Sequence, residues 1–159
     1  LLIFLFIVKI QYNFADKFKN IISMQPTHIE HIGIAVKNLI QGISYFENIL
    51  GIKCYAIEEV KDQRVKTAFF MIGQTKIELL ETTDPEGPIG KFIEKKGEGL
   101  HHIAFAVNNL ENILVETQSK GIQLIDQKPR KGAEGLEIAF LHPKSTLGVL
   151  TELCENKNK

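Results

Sequence analysis

The sequence repeats itself. Residues 31–39 read HIGIAVKNL and residues 102–110 read HIAFAVNNL. His31/His102, Ile32/Ile103, Ala35/Ala106, Val36/Val107, Asn38/Asn109 and Leu39/Leu110 are identical, six of nine positions without a gap. TAFF at 67–70 then matches IAFL at 138–141, and ELLE at 78–81 matches ELCE at 152–155. The blocks keep their order at a spacing of 71–74 residues. Collinear matches of this kind mean duplication. Two copies are too few for a solenoid, so the chain must fold as two like modules related by a pseudo-two-fold axis.

Each copy has the same grammar. HIGIAV is a β-branched, alternating strand. Asn38 offers a helix cap, and Leu39, Ile43, Phe46 and Leu50 follow on one helical face, closed by Gly51. The second copy repeats this with Asn109, Leu110, Ile113, Leu114, Thr117 and Gly121. Strands are expected at 52–58, 65–72 and 75–81 in the first copy, and near 122–127, 135–141 and 147–153 in the second. Between the copies, Pro85 and Pro88 precede a short helix over 88–96 ended by Gly97. The expected class is α+β: two tandem βαβββ modules, roughly 28–82 and 99–155, forming a curved mixed sheet within a domain spanning 25–156.

Composition narrows the function. The 159 residues carry 19 basic and 19 acidic side chains, which excludes a bulk basic surface for nucleic acid. Cys54 and Cys154 form no C-x-x-C pair and read as reduced thiols of a cytoplasmic protein. Residues 1–8, LLIFLFIV, fall far short of the ~20 apolar residues that cross a bilayer. Residues 1–24 are read as an extension outside the native domain, with Met24 as the natural start.

The duplication also pairs ionisable residues. His31 and His102 begin the first strand of each copy, and Glu78 and Glu152 occupy equivalent places in the last strand. Repeated core positions are normally apolar, and a buried ionisable group is costly unless it is paired. Two imidazoles and two carboxylates make an N/O site for one first-row divalent cation. A six-coordinate ion would keep two positions open for Lewis-acid chemistry. His101, His28 and His142 rank below this set. Strand parity points His101 and His28 to the opposite face, and His142 precedes Pro143 in a loop.

From about Thr27 to Glu155 the chain resembles the methylmalonyl-CoA epimerases of the vicinal oxygen chelate superfamily, which also holds glyoxalase I. The stretches that carry the resemblance are HIGIAV, GQTKIELLE, GPIGKFIEKKGEGLHHIAFAV, PRKGAEG and HPKSTLGVLTELCE. The resemblance implies the vicinal oxygen chelate fold and metal ligands at His31, Glu78, His102 and Glu152. It also implies a cobalt-type cation (Co2+ first; Zn2+, Ni2+, Mn2+ or Fe2+ otherwise), a homodimer and a cytoplasmic role in propionate metabolism. The expected substrate is methylmalonyl-CoA, epimerised by proton abstraction alpha to the thioester. Glu152 is the first choice of base, with Glu78 as its mate. Some epimerases carry a second base where this chain has Thr67, which cannot serve. Lys144, Ser145 and Thr146 are expected to bind substrate, and Arg130 and Lys131 could meet coenzyme A phosphates. The alternatives are a glyoxalase I-like lactoylglutathione lyase and a non-catalytic small-molecule-binding protein of the same fold.

Overall fold

The computed structural model describes residues 25–157. Residues 1–24 lie outside the described residues, and so does the reading of that segment as an extension. The first module is β1 (His28–Ala35), α1 (Leu39–Asn48), β2 (Cys54–Val60), β3 (Val65–Ile72) and β4 (Thr75–Thr82). α2 (Pro88–Lys96) connects the modules. The second is β5 (Gly99–Ala106), α3 (Leu110–Ser119), β6 (Arg130–Lys131), β7 (Glu137–Leu141) and β8 (Leu150–Glu155). No helix among the described residues is long and apolar enough to cross a membrane.

All eight strands form one curled sheet in the order β2-β3-β4-β1-β5-β8-β7-β6. β1 runs parallel to β4, and β5 runs parallel to β8. β1 and β5 pair antiparallel at the centre and join the modules. The order reads alike outward from that seam, which is the expected pseudo-two-fold. The fold class is therefore the expected one.

α1 and α3 each cover their own module with their own apolar cluster, and Ile89 of α2 packs with Ala35, Val65 and Leu80. Leu39 and Phe46 of α1 pack with Val36, Ala68, Phe70 and Leu79, and Phe46 stacks on Phe70 at 4.6 Å between ring centroids. Leu110, Ile113 and Leu114 of α3 pack with Val107, Ala139, Leu141 and Leu153. Leu50 is exposed rather than part of its helix face, because the helix ends at Asn48 and the chain turns to reach Gly51 at φ 68°.

The second module departs from its expected pattern at three places. Residues 122–127 form no strand beyond a single bridge between Leu124 and Leu141. The Asp126 carboxylate accepts the Phe140 N–H at 2.9 Å, so a side chain replaces a ladder carbonyl there. Asn109 begins α3 at φ 61° and makes no side-chain cap; the Glu155 carboxylate accepts the N–H groups of Asn109 and Leu110 instead. β8 begins only at Leu150, after a short 3-10 turn over Pro143–Ser145.

Candidate functional site

The four central strands carry one paired residue each: His31 on β1, Glu78 on β4, His102 on β5 and Glu152 on β8. Their exposures are 6, 5, 3 and 3%. The two imidazole Nε2 atoms lie 2.8 Å apart. Glu152 Oε2 is 2.9 Å from His102 Nε2 and 3.3 Å from His31 Nε2. Glu78 Oε2 is 3.3 Å from His31 Nε2 and 3.6 Å from His102 Nε2. The carboxylates come from the outer strands of the order β4-β1-β5-β8, so they flank the imidazole pair from opposite sides.

Two bulges set the surroundings of the imidazoles. In the β1–β5 pairing, Ile29 faces Phe105 while His31 faces Ala104, which leaves Glu30 as an extra residue on β1. Gly33 faces His102 while Ile34 faces Leu100, which leaves His101 extra on β5. A bulge breaks strand parity, so both residues turn back toward their histidines. The Glu30 carboxylate pairs with His31 Nδ1, and His101 Nδ1 lies 2.9 Å from His102 Nδ1. The parity argument that sent His101 to the opposite face therefore fails. His101 lines the same cavity and packs edge-on to Phe92. Glu30 and His101 were missed by sequence reasoning, although each directly precedes a repeated histidine. Gly33 is the reason His102 fits: a Cβ there would stand 2.2 Å from His102 Cε1.

The electrostatics of the cluster are asymmetric. Burial alone would lower the His31 pKa, but hydrogen bonds to Glu152 and Glu30 and the charge of Glu78 outweigh it and push it up to about 10. Burial would raise Glu152, yet hydrogen bonds from His102 and His31 hold it well below the usual carboxylate range. Burial dominates at Glu78, which is raised despite both imidazoles. Burial and the neighbouring His102 pull His101 down to about 4.

His31, His102 and Glu152 form one converging group that fits a divalent cation, and Glu78 stands beside it, near both imidazoles but outside the group. Ligands about 2.0–2.2 Å from such an ion sit roughly 3 Å apart at adjacent vertices. The separations of 2.8–3.6 Å match that spacing. Two carboxylates facing two imidazoles leave a charge that a dication balances with both rings neutral. Glu30, His31 and Cys154 form a second converging group. It is the poorer ligand set, because burial raises the Cys154 thiol and its Sγ donates to Glu152.

The cluster forms the floor of a cavity of about 440 Å³, whose walls include Val65, Phe69, Leu80, Ile89, Phe140 and Leu150. Thr67 also lines it, with its hydroxyl donating to the Glu58 carbonyl at 3.4 Å. Arg130 and Lys131 reach the rim, where they pair with Asp126 and Glu137. Lys76 lines the wall between Glu30 and Glu134, and those hydrogen bonds outweigh burial to raise its pKa. Lys144, Ser145 and Thr146 do not line this cavity. The Ser145 hydroxyl accepts the Gln123 N–H, and Thr146 donates to the Val149 and His142 carbonyls. The His142 ring accepts the Lys144 N–H and caps the same turn.

Residues 30–140 match the Glyoxalase/Bleomycin resistance protein/Dioxygenase superfamily. An uncharacterised protein of Bacillus subtilis is 47% identical over 129 residues, covering 81% of this chain and 92% of that one. The mitochondrial methylmalonyl-CoA epimerase of Homo sapiens is 34% identical over 126 residues, covering 79% of this chain and 72% of that one. A variant of Streptomyces coelicolor methylmalonyl-CoA epimerase, solved in complex with 2-nitronate-propionyl-CoA, superposes with a TM-score of 0.81 at 34% identity. The match covers 84% of this chain and 96% of that one.

Proposed function

The chain belongs to the methylmalonyl-CoA epimerase family of the glyoxalase/bleomycin resistance protein/dioxygenase superfamily, and from that premise we propose that it interconverts (R)- and (S)-methylmalonyl-CoA with a bound divalent cation. The observation that carries this reading is the pair of buried carboxylates, Glu78 and Glu152, brought to the imidazole pair by the two strands that flank β1 and β5. Inverting one carbon requires a proton to leave one face and another to arrive at the opposite face.

A cobalt-type cation (Co2+ first; Zn2+, Ni2+, Mn2+ or Fe2+ otherwise) held by His31, Glu78, His102 and Glu152 would supply Lewis-acid stabilisation for charge growing on the thioester oxygen. Glu152, whose Oε2 lies 2.9 and 3.3 Å from the two imidazoles, takes the C2 proton. The C–H electron pair moves into the enolate. A proton returns from the other side, where Glu78 stands. The roles exchange for the opposite epimer. His31 and His102 hold the carboxylates in place, with Glu30 and His101 fixing the two rings. The apolar walls keep water from the enolate. Thr67 stands at the position of a second base in some relatives, and Glu78 takes that duty here.

The same reading carries a homodimer, a cytoplasmic setting and a role in propionate metabolism. C2 proton exchange of methylmalonyl-CoA in deuterated water, with and without added Co2+, tests the reaction. Metal-dependent exchange of both epimers is the expected result. Absence of exchange in the metal-loaded protein overturns it.

A further inference from the structure

Lys76 is two residues before Glu78 on β4, so the strand period puts both on one face. The β1–β4 register sets Lys76 opposite His31. Its side chain is 13% exposed, and its ammonium is held by two carboxylates. One is Glu30, the local bulged residue that also holds His31. The other is Glu134, 2.5 Å away, and it belongs to the opposite module.

Glu134 lies in the short turn between β6 and β7. The turn reaches the far edge of the sheet: Tyr55 of β2 donates its hydroxyl to Glu134 Oε1 at 3.0 Å, and the Glu134 N–H donates to Glu58 Oε2 at 3.0 Å. Its backbone is left-handed, with φ 52° and ψ 23°, and Gly135 follows at φ 72°. A glutamate does not favour that conformation by itself. The ties to Lys76, Tyr55 and Glu58 hold it there. Its side chain is 28% exposed, against 11% for Glu30, so it is the partner of Lys76 that can leave.

A carboxylate brought by a ligand could take the place of Glu134 on Lys76. The exchange is anion for anion and leaves the local charge unchanged. A neutral acyl group offers Lys76 nothing in return and leaves the tie closed. The geometry points to Glu134 as an internal stand-in for the free carboxylate of the substrate, with Lys76 as the residue that selects a carboxylated acyl thioester. This rests on the thioester reading above and names the group that recognises the acyl end. Arg130 and Lys131 are the poorer candidates for this part, because their side chains are 37 and 73% exposed against 13% for Lys76, so water screens them more.

The test is calorimetric binding of malonyl-CoA and propionyl-CoA to the Co2+-loaded full chain. The two probes differ by the carboxylate, and neither has a C2 stereocentre to invert. Lys76→Met should weaken malonyl-CoA at least about tenfold, the scale of one hydrogen bond to a charged group. It should leave propionyl-CoA within about twofold, because that probe has no carboxylate to lose. Glu134→Gln should tighten malonyl-CoA about threefold or more by removing the competing charge, again without moving propionyl-CoA. Lys76→Arg should restore most of the preference. If both variants move the two probes equally, or move neither, the proposal is overturned. If the wild-type protein binds neither thioester, the functional reading fails first and this proposal falls with it.

Discussion

His31 and His102 occupy the same strand position in the two modules, yet His31 leans its Nδ1 on the carboxylate of Glu30, whereas His102 leans on the imidazole of His101. Their carboxylate mates diverge as well: Glu78 is raised and Glu152 lowered. Duplication preserved the residue types that meet at the centre, while the surroundings gave each copy its own charge behaviour. On the proposed function, a symmetric set with asymmetric supports suits a reaction that must treat two faces of one carbon differently at each instant. It also makes the comparison breakable, because changes at paired positions should have unequal effects.

The largest effects are expected at the carboxylates. Glu152→Gln and Glu78→Gln should each lower the epimerisation rate by about 10²–10⁴-fold, the range for a lost general acid or base. Both keep an oxygen that can coordinate, so metal content should stay near that of the wild-type protein. The modules are distinguished by C2 exchange in deuterated water. Each variant should slow one epimer more than the other, in opposite senses. Equal losses for both epimers, recovered by added Co2+, would reduce these residues to ligands.

The next effect is on metal affinity and its pH dependence. Metal entry requires His31 to give up its proton, and its pKa is pushed up to about 10. Apparent affinity should therefore climb by up to about tenfold per pH unit below that value and flatten above it. Stability of the metal-free protein runs the other way. A raised folded-state pKa contributes stability that is complete below the ordinary value of 6.5 and is lost as pH rises through about 10. Glu30→Gln should weaken Co2+ binding by about 10–100-fold and move the flattening to lower pH. His101→Asn should leave the flattening in place, because His101 touches the other ring. Titration with Co2+ against a competing chelator at several pH values separates the two. An identical shift for both variants would erase the contrast between the modules.

How much of this was open to sequence reasoning follows from the same contrast. The four central residues were legible because duplication marks them twice, and repetition of an ionisable residue resists a packing explanation. Glu30 and His101 were not, because a bulge is decided by register across two strands. Nothing within HIEHIG or GLHHIA alone announces it. The helices and the strands β3 and β4 followed from periodicity. The strand expected over 122–127 failed because Asp126 satisfies Phe140 with a side chain, a choice made by tertiary contact. Lys144, Ser145 and Thr146 looked like a binding loop for the reason that makes them a good turn: short polar side chains bond their own backbone. Lys76 and Glu134 lie 58 residues apart, and only the closed sheet brings them together.

A smaller effect is expected at the paired positions Gly33 and Ala104. A methyl group at Gly33 would stand 2.2 Å from the His102 ring, and the strand around it is buried, so the ring must yield. Gly33→Ala should cost about 1–3 kcal/mol, as overpacking does, and should also weaken metal binding. Ala104→Gly, the mirror change, should cost about 0.5–1 kcal/mol through chain entropy and leave metal binding nearly intact. Thermal unfolding with and without Co2+ measures both. If Gly33→Ala proves as mild as Ala104→Gly, the close approach of His102 to β1 is wrong.

The smallest expected effect concerns two identical residues doing different jobs. Asn38 is an ordinary cap: its side chain accepts the Gln41 N–H at 2.9 Å from extended backbone. Asn109 occupies the duplicate position at φ 61° and ψ 55°, and its side chain caps nothing. The first N–H groups of α3 go instead to the Glu155 carboxylate, at 2.6 and 3.2 Å. Asn38→Ala should therefore cost about 1 kcal/mol, the usual worth of a cap. Asn109→Gly should stay within about 0.5 kcal/mol of wild type, because glycine relieves the left-handed strain while adding chain entropy. Glu155→Ala should cost about 1 kcal/mol by leaving both N–H groups to water. Denaturant unfolding of the metal-free protein reads all three on one scale. Should Asn109→Gly cost as much as Asn38→Ala, the second asparagine would be capping after all, and the two modules would be more alike at this helix start than their backbones indicate.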